Sequence, residues 1–249
     1  MNSSAGRAEA GALRRPDRAV APAPLLTDDR VPYLARLAEK AAAALLAAGV
    51  ELRYPERTVL LTKGEPSTHV LLVRDGWLKV TDESADGHEA LLALRGPGDV
   101  VGESAALDGT TRSATVVTLE PVAAVVIASE RFRDFLDRHP AAERSLMAVV
   151  TDRMRAGDRK RLELAACDVR QRLARLLLEL AEHHGERVAE GVRVRVPLTQ
   201  QELAGAVGAS RESVARLLGE LRERDAVITR RQELVVTRPE VLRRIGGPA

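Results

Sequence analysis

The segment LTQQELAGAVGASRESVARLL, residues 198–218, decides how this chain is read. Thr199 followed three positions later by Glu202 is a capping box, in which two side chains satisfy backbone N–H groups that a helix start leaves unpaired. Leu203, Ala204 and Val207 then share one face, and Ala204 is small enough to let a second helix approach closely. Gly208 permits a turn through positive φ. Ser210 caps the next helix, with Ser213 at its third position, while Val214, Leu217 and Leu218 fold that helix back on the first. Two helices joined in this way make a helix-turn-helix, whose second helix fits the major groove of DNA.

On the second helix Arg211, Glu212 and Arg216 occupy the N-terminal outward face, where groove geometry needs reading groups. Arginine donates two hydrogen bonds to guanine O6 and N7, and glutamate accepts from cytosine N4. Thr199, Gln200, Ser210 and Ser213, at the two helix starts, complete the expected DNA-facing set. Residues 227–236 read as a hairpin with Arg230 and Arg231 near its tip, a wing that would touch phosphates and add affinity without sequence information. The competing interpretation of the segment is a solvated helix face beside a generic helical hairpin.

Working outward, Asp168 looks like an N-cap for a helix carrying Val169, Leu173, Leu176, Leu177 and Leu180, ended by Gly185, with a strand over 191–196. Helical texture also covers 129–166, broken at Pro140. Within it Leu146, Val150, Arg153, Gly157, Lys160 and Leu164 step by four and three, the spacing of a two-stranded coiled coil. The ends of that seam are apolar but its middle is Arg, Gly and Lys. Either the helix is simply amphipathic, or it is a dimer helix whose central turns face a polar ligand.

Between residues 50 and 127 the texture changes to short β-type runs (58–62, 70–73, 77–81, 90–94, 114–117, 122–127). Turn signals such as Asp75-Gly76, Asp86-Gly87 and Gly96-Pro97-Gly98 separate them, and such even spacing implies a closed sandwich or barrel. Residues 31–48, dense in Ala and Leu, read as a helix ended by Gly49, and residues 1–30 as a disordered tail rich in Ala and Pro.

Composition narrows the class. Net charge is only +2, and the division at Cys167 is weakly asymmetric, with 23 basic and 24 acidic residues up to it and 15 and 12 beyond. Charge is therefore consistent with DNA binding but does not establish it. One cysteine, Cys167, excludes an internal disulfide and argues against a cysteine-ligated cluster, so no metal is expected. No apolar run approaches the ~20 residues that cross a bilayer, and no basic-then-apolar leader opens the chain, so the expected location is cytoplasmic, away from membranes. Walker loops, HxxxD acid pairs and Gly-x-Ser-x-Gly elbows are all missing, which speaks against an enzyme.

A second constellation lies among the β-type runs. Gly96-Pro-Gly-Asp-Val-Val-Gly-Glu-Ser104 precedes Asp108-Gly-Thr-Thr-Arg-Ser-Ala114. Backbone N–H groups near Gly102, the Arg112 cation and the Ser113 hydroxyl can cradle one phosphate, with Ser104 alongside. Glu103 cannot bind phosphate but can accept from a ribose 2′-hydroxyl. The alternative is an ordinary turn in which Glu103 and Arg112 pair with each other.

Over residues 45–236 the chain resembles the catabolite activator and fumarate-nitrate-reduction regulator (Crp-Fnr) family. The likeness rests on Ser210-Arg211-Glu212-x-Val214-x-Arg216, and on Gly102-Glu103 and Arg112-Ser113, which resemble a phosphate-binding cassette of cyclic-nucleotide-binding domains. The resemblance implies an α+β chain divided into a disordered tail (1–30), a cyclic-nucleotide-binding β-barrel of jelly-roll type (31–139), a dimerisation helix (140–167) and a winged helix-turn-helix (168–249). It further implies a homodimer reading TGTGA/TCACA-type arms on double-stranded DNA, a contact with RNA polymerase, and cyclic AMP or cyclic GMP as effector. Aligned on Asp168, the pattern keeps Arg153 but has Gly157-Asp158 where a Thr-Ser pair faces adenine. Asp158 can accept from guanine N1 and N2, or it can be a solvated helix charge. The remaining alternative for the whole chain is a DNA-binding dimer whose barrel answers to no ligand or to a different one.

Overall fold

Residues 31–85, 87–230 and 233–247 are described by the structure, a computed structural model. The tail expected over residues 1–30, Asp86 of the Asp86-Gly87 turn, and Arg231 of the wing tip lie outside them. The N-terminal part begins with a 3-10 turn at Tyr33–Arg36 and α1 (Glu39–Ala47). Then come β1 (Val50–Tyr54), β2 (Val59–Leu61), β3 (His69–Asp75), β4 (Leu78–Glu83), β5 (Glu89–Arg95) and β6 (Val100–Val101). Helix α2 (Glu103–Asp108), β7 (Thr115–Thr118), β8 (Val122–Ala128) and α3 (Ser129–Arg138) complete this part.

The strands pair antiparallel in two sheets ordered β1-β8-β3-β6 and β2-β7-β4-β5. These sheets are hydrogen-bonded separately, so the expected barrel takes the form of a jelly-roll sandwich, not a closed cylinder. Leu61, Leu71, Leu78, Val116 and Ala124 fill the space between them. Phe132, Phe135, Leu146 and Val149 from the helices pack on Val70, Leu72 and Val125 of the first sheet. Each such large side chain contributes roughly 1.5–3 kcal/mol by leaving water.

Three local expectations change. The single helix foreseen over 31–48 is interrupted, because Leu34 N–H donates to Gly98 O (2.9 Å) and the buried Tyr33 hydroxyl donates to Ala142 O (3.2 Å). Those anchors draw the backbone away, leaving Leu37 and Ala38 extended before α1 starts. Strand β1 escapes a periodicity search because four of its five residues are exposed; its pairing with β8 holds it. Strand β6 is only two residues long.

The long helix α4 (Pro140–Ala166) leads through an extended Cys167 and Asp168 into α5 (Val169–His184). Asp168 Oδ1 accepts from Gln171 N (2.8 Å) while Gln171 Oε1 accepts from Asp168 N (3.0 Å), a capping box. Gly185 does end α5, but in extended backbone that opens β9 (Gly185–Val188); a Cβ there would lie 2.1 Å from Ala181 O. Strand β10 (Gly191–Val194), α6 (Gln200–Val207), α7 (Arg211–Glu223), β11 (Val227–Arg230), β12 (Glu233–Val236) and α8 (Pro239–Gly246) follow. The small sheet runs β11-β12-β10-β9.

The seam read along α4 needs a correction of half its positions. Leu146 is buried in the first-sheet core, Arg153 pairs with Glu103 and Lys160 reaches α6, so these three face their own chain. The outward stripe is Met147, Val150, Met154, Gly157, Arg161 and Leu164, in which Met147, Met154 and Leu164 are 56%, 63% and 43% exposed. Its steps of three and four are those of a coiled-coil seam. A sequence count cannot distinguish two stripes that share Val150, Gly157 and Leu164 and differ by one residue elsewhere.

The C-terminal core of Leu173, Leu177, Leu203, Val214 and Leu218 does not stop at its own domain. Leu91, Leu94 and Leu119 of the sandwich join it, with Trp77 against its edge. The helix-turn-helix is therefore docked on the second sheet of the sandwich.

Candidate effector cavity and DNA-reading face

The reading helix is built by local bonds. Thr199 Oγ1 accepts from Glu202 N (3.2 Å) and Glu202 Oε2 accepts from Thr199 N (2.7 Å). Gly208 turns at φ +60°, and Ser210 Oγ accepts from Ser213 N (3.2 Å) at the start of α7. Each cap supports its helix by ~1 kcal/mol. A group that sequence reasoning missed locks the turn: buried Arg172 of α5 donates to the carbonyls of Cys167, Val207 and Gly208. Nothing in the local sequence distinguishes it from a surface arginine.

Arg211, Glu212 and Arg216 all lie on the exposed face of α7, while Val214, Leu217 and Leu218 are buried beneath. A backbone N–H at the helix start, then the Ser210 hydroxyl, hold the Glu212 carboxyl below its usual range despite slight desolvation, and Arg211 adds to this. Glu212 is thus a charged acceptor at neutral pH. Thr199 and Gln200 are half-buried, and Ser210 is exposed with Ser213 half-buried. Arg230 is exposed and pairs with Glu233 at 3.2 Å.

The cassette residues converge at the start of α2. Gly102 sits at φ +80°, and a Cβ there would lie 2.5 Å from Arg112 Nη1 and 3.0 Å from Leu61 Cδ1. Arg112 is 4% exposed and donates to Gly102 O (2.8 Å) and to His69 O. Burial lowers its pKa, partly offset by Glu103 and Glu65. The competing pairing of Glu103 with Arg112 is not the arrangement found. Glu103, 6% exposed, instead accepts from Arg153 Nη1 (2.8 Å), and Arg153 Nη2 donates to Val100 O (2.9 Å). Burial pushes the Glu103 carboxyl up, but Arg153, a backbone N–H and Arg95 together hold it below its usual range. Ser104 donates to Glu103 Oε1 (3.2 Å), and Ser113 is exposed.

These groups line a cavity of about 610 Å³, within the size range of small-molecule sites. Gly102, Glu103, Ser104, Arg112 and Ser113 form one side. Arg153, Gly157 and Lys160 of α4 form another, and Gly205, Ala206 and Gly208 of the helix-turn-helix close it. Backbone N–H groups, a buried cation and an exposed hydroxyl at the Gly102 cradle are group types that can cradle a phosphate, the Arg112 guanidinium being held by the Gly102 and His69 carbonyls. Asp158 does not line this cavity: it is exposed and pairs with Arg161 at 3.0 Å, one turn along the same helix. Lys160, absent from the sequence-based ligand set, does line it and donates to Ala206 O. Its signal was there as a cation inside an apolar seam.

The reading domain meets the sandwich at β5. Gly205 of α6 lies so close that a Cβ would be 2.7 Å from Glu89 O. Lys79 Nζ pairs with Glu202 (3.3 Å) and Glu89 (2.8 Å), tying the α6 capping box to β4 and β5. Trp77 contacts His184 edge-on, with ring centroids 4.6 Å apart. Among the described residues no group of three or more His, Cys, Asp and Glu is placed to hold a metal ion, and no helix is long and apolar enough to cross a membrane.

Comparison with known proteins agrees with both halves. Residues 51–139 match the cyclic nucleotide-binding domain family and residues 171–245 the Crp-like helix-turn-helix domain. The chain is 30% identical over 191 residues to a CRP-like cAMP-activated global transcriptional regulator of Mycobacterium tuberculosis, covering 77% of this chain and 85% of that protein. It is 30% identical over 174 residues to a cyclic AMP receptor protein of Thermus thermophilus, covering 70% and 77%. Among solved structures, the c-di-GMP responsive global regulator CLP of Xanthomonas campestris superposes with a TM-score of 0.70 at 28% identity, covering 80% of this chain and 99% of that one.

Proposed function

The chain belongs to the Crp-Fnr family of DNA-binding transcription regulators, and on that footing we propose that it is a homodimer whose grip on a TGTGA/TCACA-type palindrome is set by a cyclic nucleotide. The observation that carries this reading is the shared cavity: cassette, long helix and helix-turn-helix each contribute a wall. A ligand with its phosphate on Gly102, Arg112 and Ser113 and its ribose hydroxyl on Glu103 would touch Arg153, and through it α4, before reaching the Gly205–Gly208 turn. A ligand that binds one mutual orientation of these walls better than another shifts the population toward it.

The outward stripe of Met147, Val150, Met154, Gly157, Arg161 and Leu164, four of them exposed and Val150 and Gly157 half-buried, supports a second copy packed along α4. Twofold pairing would present two α7 helices to half-sites one helical turn apart. Arg211 and Arg216 would read guanine, Glu212 cytosine, with Arg230 and Arg231 on flanking phosphates and Thr199, Gln200, Ser210 and Ser213 positioning the helix starts. The docked arrangement supports the low-affinity side of this equilibrium. The β4–β5 hairpin, with Asp82, Glu83 and Glu89, borders the same groove as Ser210 at the start of α7 and would repel DNA phosphates. Cytoplasmic action beside RNA polymerase completes the proposal.

A second reading, an effector other than cyclic AMP, is favoured by one observation. Gly157 stands at the cavity where a hydroxyl for adenine is expected, and Asp158 is turned to Arg161. Isothermal titration with cyclic AMP and cyclic GMP, followed by DNA binding to a TGTGA-armed duplex with and without each, tests both. Absence of any nucleotide effect on palindrome affinity would reject the regulated reading in favour of a DNA-binding dimer with an unresponsive sandwich.

A further inference from the structure

We infer that Lys160 both selects a guanine-bearing cyclic nucleotide and transmits its arrival to the reading domain, an inference that rests on the cavity being the effector site. On the α4 wall, Arg153, Gly157, Lys160 and Arg161 line the cavity, and Arg161 is paired with Asp158 at 3.0 Å. The Arg153 guanidinium is engaged by Glu103 and Val100 O. Lys160 is placed differently: its ammonium bonds the neutral carbonyl of Ala206, and no carboxylate lies within 4.0 Å of it among the described residues. Burial lowers its pKa, while Glu179 and Glu163 support the charge only from farther away. A charged donor in that position gains from any acceptor-rich group that enters.

The space for such a group is one turn away. A Cβ on Gly157 would meet only Arg161 Nη2, at 3.9 Å, so this stretch of α4 leaves room for a flat ring. With the phosphate held on the cassette side, the base is directed across the cavity toward α4. Lysine has donors and no acceptor. Guanine offers two adjacent acceptors, O6 and N7, whereas adenine sets its N6 amino donor beside N7. The ammonium therefore rewards guanine and is repelled by the adenine amino group. This assignment moves guanine recognition from Asp158, which does not line the cavity and is engaged by Arg161, to a residue that lines it with no carboxylate partner.

Transmission follows from what Lys160 holds in the described arrangement. Ala206 lies in the last turn of α6, where carbonyls lack helical partners and a cation is favourable. The bond fixes that end of α6 in the position where Gly205 meets the β5 backbone and Glu202 meets Lys79. A guanine edge that takes the ammonium removes the clamp and loosens α6 from the sandwich.

The test uses the full-length protein, with Lys160→Met, which keeps the apolar stem, and Lys160→Arg, which keeps donors. Calorimetry is expected to give the wild type at least a ~10-fold preference for a guanine nucleotide over cyclic AMP. Lys160→Met should reduce that preference to within about twofold, and Lys160→Arg should retain part of it. Cyclic GMP and cyclic di-GMP are both titrated; the tighter one identifies whether the base comes from a mono- or a dinucleotide. Without any ligand, Lys160→Met should bind a TGTGA-armed duplex about 5- to 10-fold more tightly than the wild type, since each 1.4 kcal/mol of clamp is tenfold. Cyclic AMP preferred by the wild type, or an undiminished guanine preference in Lys160→Met, overturns the selecting role. Equal ligand-free DNA affinity overturns the clamp. A wild type that binds none of the three nucleotides sinks the effector reading itself, while the ligand-free comparison still decides the clamp on its own.

Discussion

Replacing Gly102 by Ala separates a collision from ordinary backbone strain, because the protein contains its own control. Gly102 (φ +80°) and Gly109 (φ +72°) flank α2 as its two caps, both left-handed. Either one changed to Ala incurs about 1–2 kcal/mol for an L-residue in that region. At Gly109 nothing lies within 4 Å of the new Cβ, so the cost ends there. At Gly102 the Cβ would sit 2.5 Å from Arg112 Nη1, and the guanidinium must swing away. It then forfeits its bond to Gly102 O, a contact of a charged donor worth roughly 1.5–3 kcal/mol. Gly102→Ala should therefore be less stable than Gly109→Ala by about 1–3 kcal/mol in chemical denaturation. Calorimetric nucleotide affinity should fall at least ~10-fold for Gly102→Ala and less than about threefold for Gly109→Ala. Equal stability and equal affinity of the two variants would refute the idea that Gly102 keeps Arg112 in place for phosphate.

Other perturbations address the remaining surfaces. Arg211→Ala should lose about 1–3 kcal/mol of discrimination at a guanine of the half-site while keeping weak, salt-sensitive binding; equal losses on specific and random duplexes would count against base reading. Met154→Glu places a charge in the exposed α4 stripe and should weaken self-association at least ~100-fold by analytical ultracentrifugation, with a dimer fraction equal to the wild type's as the contrary result. His184 has its pKa pushed down to about 4 by burial, and further by His183, so the folded chain binds this proton less readily than the unfolded chain. Stability should accordingly be full above about pH 6.5 and decline between there and about pH 4, by up to about 3 kcal/mol; His184→Phe should flatten that stretch of the profile.

The parts legible in sequence are those whose causes are neighbours along the chain. The Thr199–Glu202 box, Gly208 and the Ser210 cap announce a helix, a turn and a helix because each acts across three or four residues. Most strands of the sandwich were readable from their turns, Asp75-Gly76 among them; Gly76 adopts φ +80° where a Cβ would strike Pro121 O. What escaped depends on partners far away in sequence. Strand β1 exists because β8 pairs with it some seventy residues later, and the break before α1 exists because Leu34 meets Gly98. The bond of Lys160 to α6 is not legible in sequence, since its carbonyl partner lies 46 residues on and only the docked domain brings it near. The outward stripe of α4 was displaced by one residue at half its positions for the same reason: which side meets solvent is settled by Glu103 and Leu72, not by the helix period.

The extended pair Cys167 and Asp168 gives the protein a lever. Helix α5 has sixteen residues, about 24 Å of rigid rod, fastened through Arg172 to the turn of the helix-turn-helix. The covalent path from α4 to that rod runs through the few backbone torsions of the pair, while Arg175–Glu163 (3.5 Å) and the Trp77–His184 contact hold it in the docked orientation. Swinging it by about 10° moves its far end by ~4 Å, and in the proposed dimer a twofold-related chain moving likewise would double the change in separation to ~8 Å. Against a groove repeat of about 34–36 Å, that displacement is enough to bring two probes into or out of phase with the double helix.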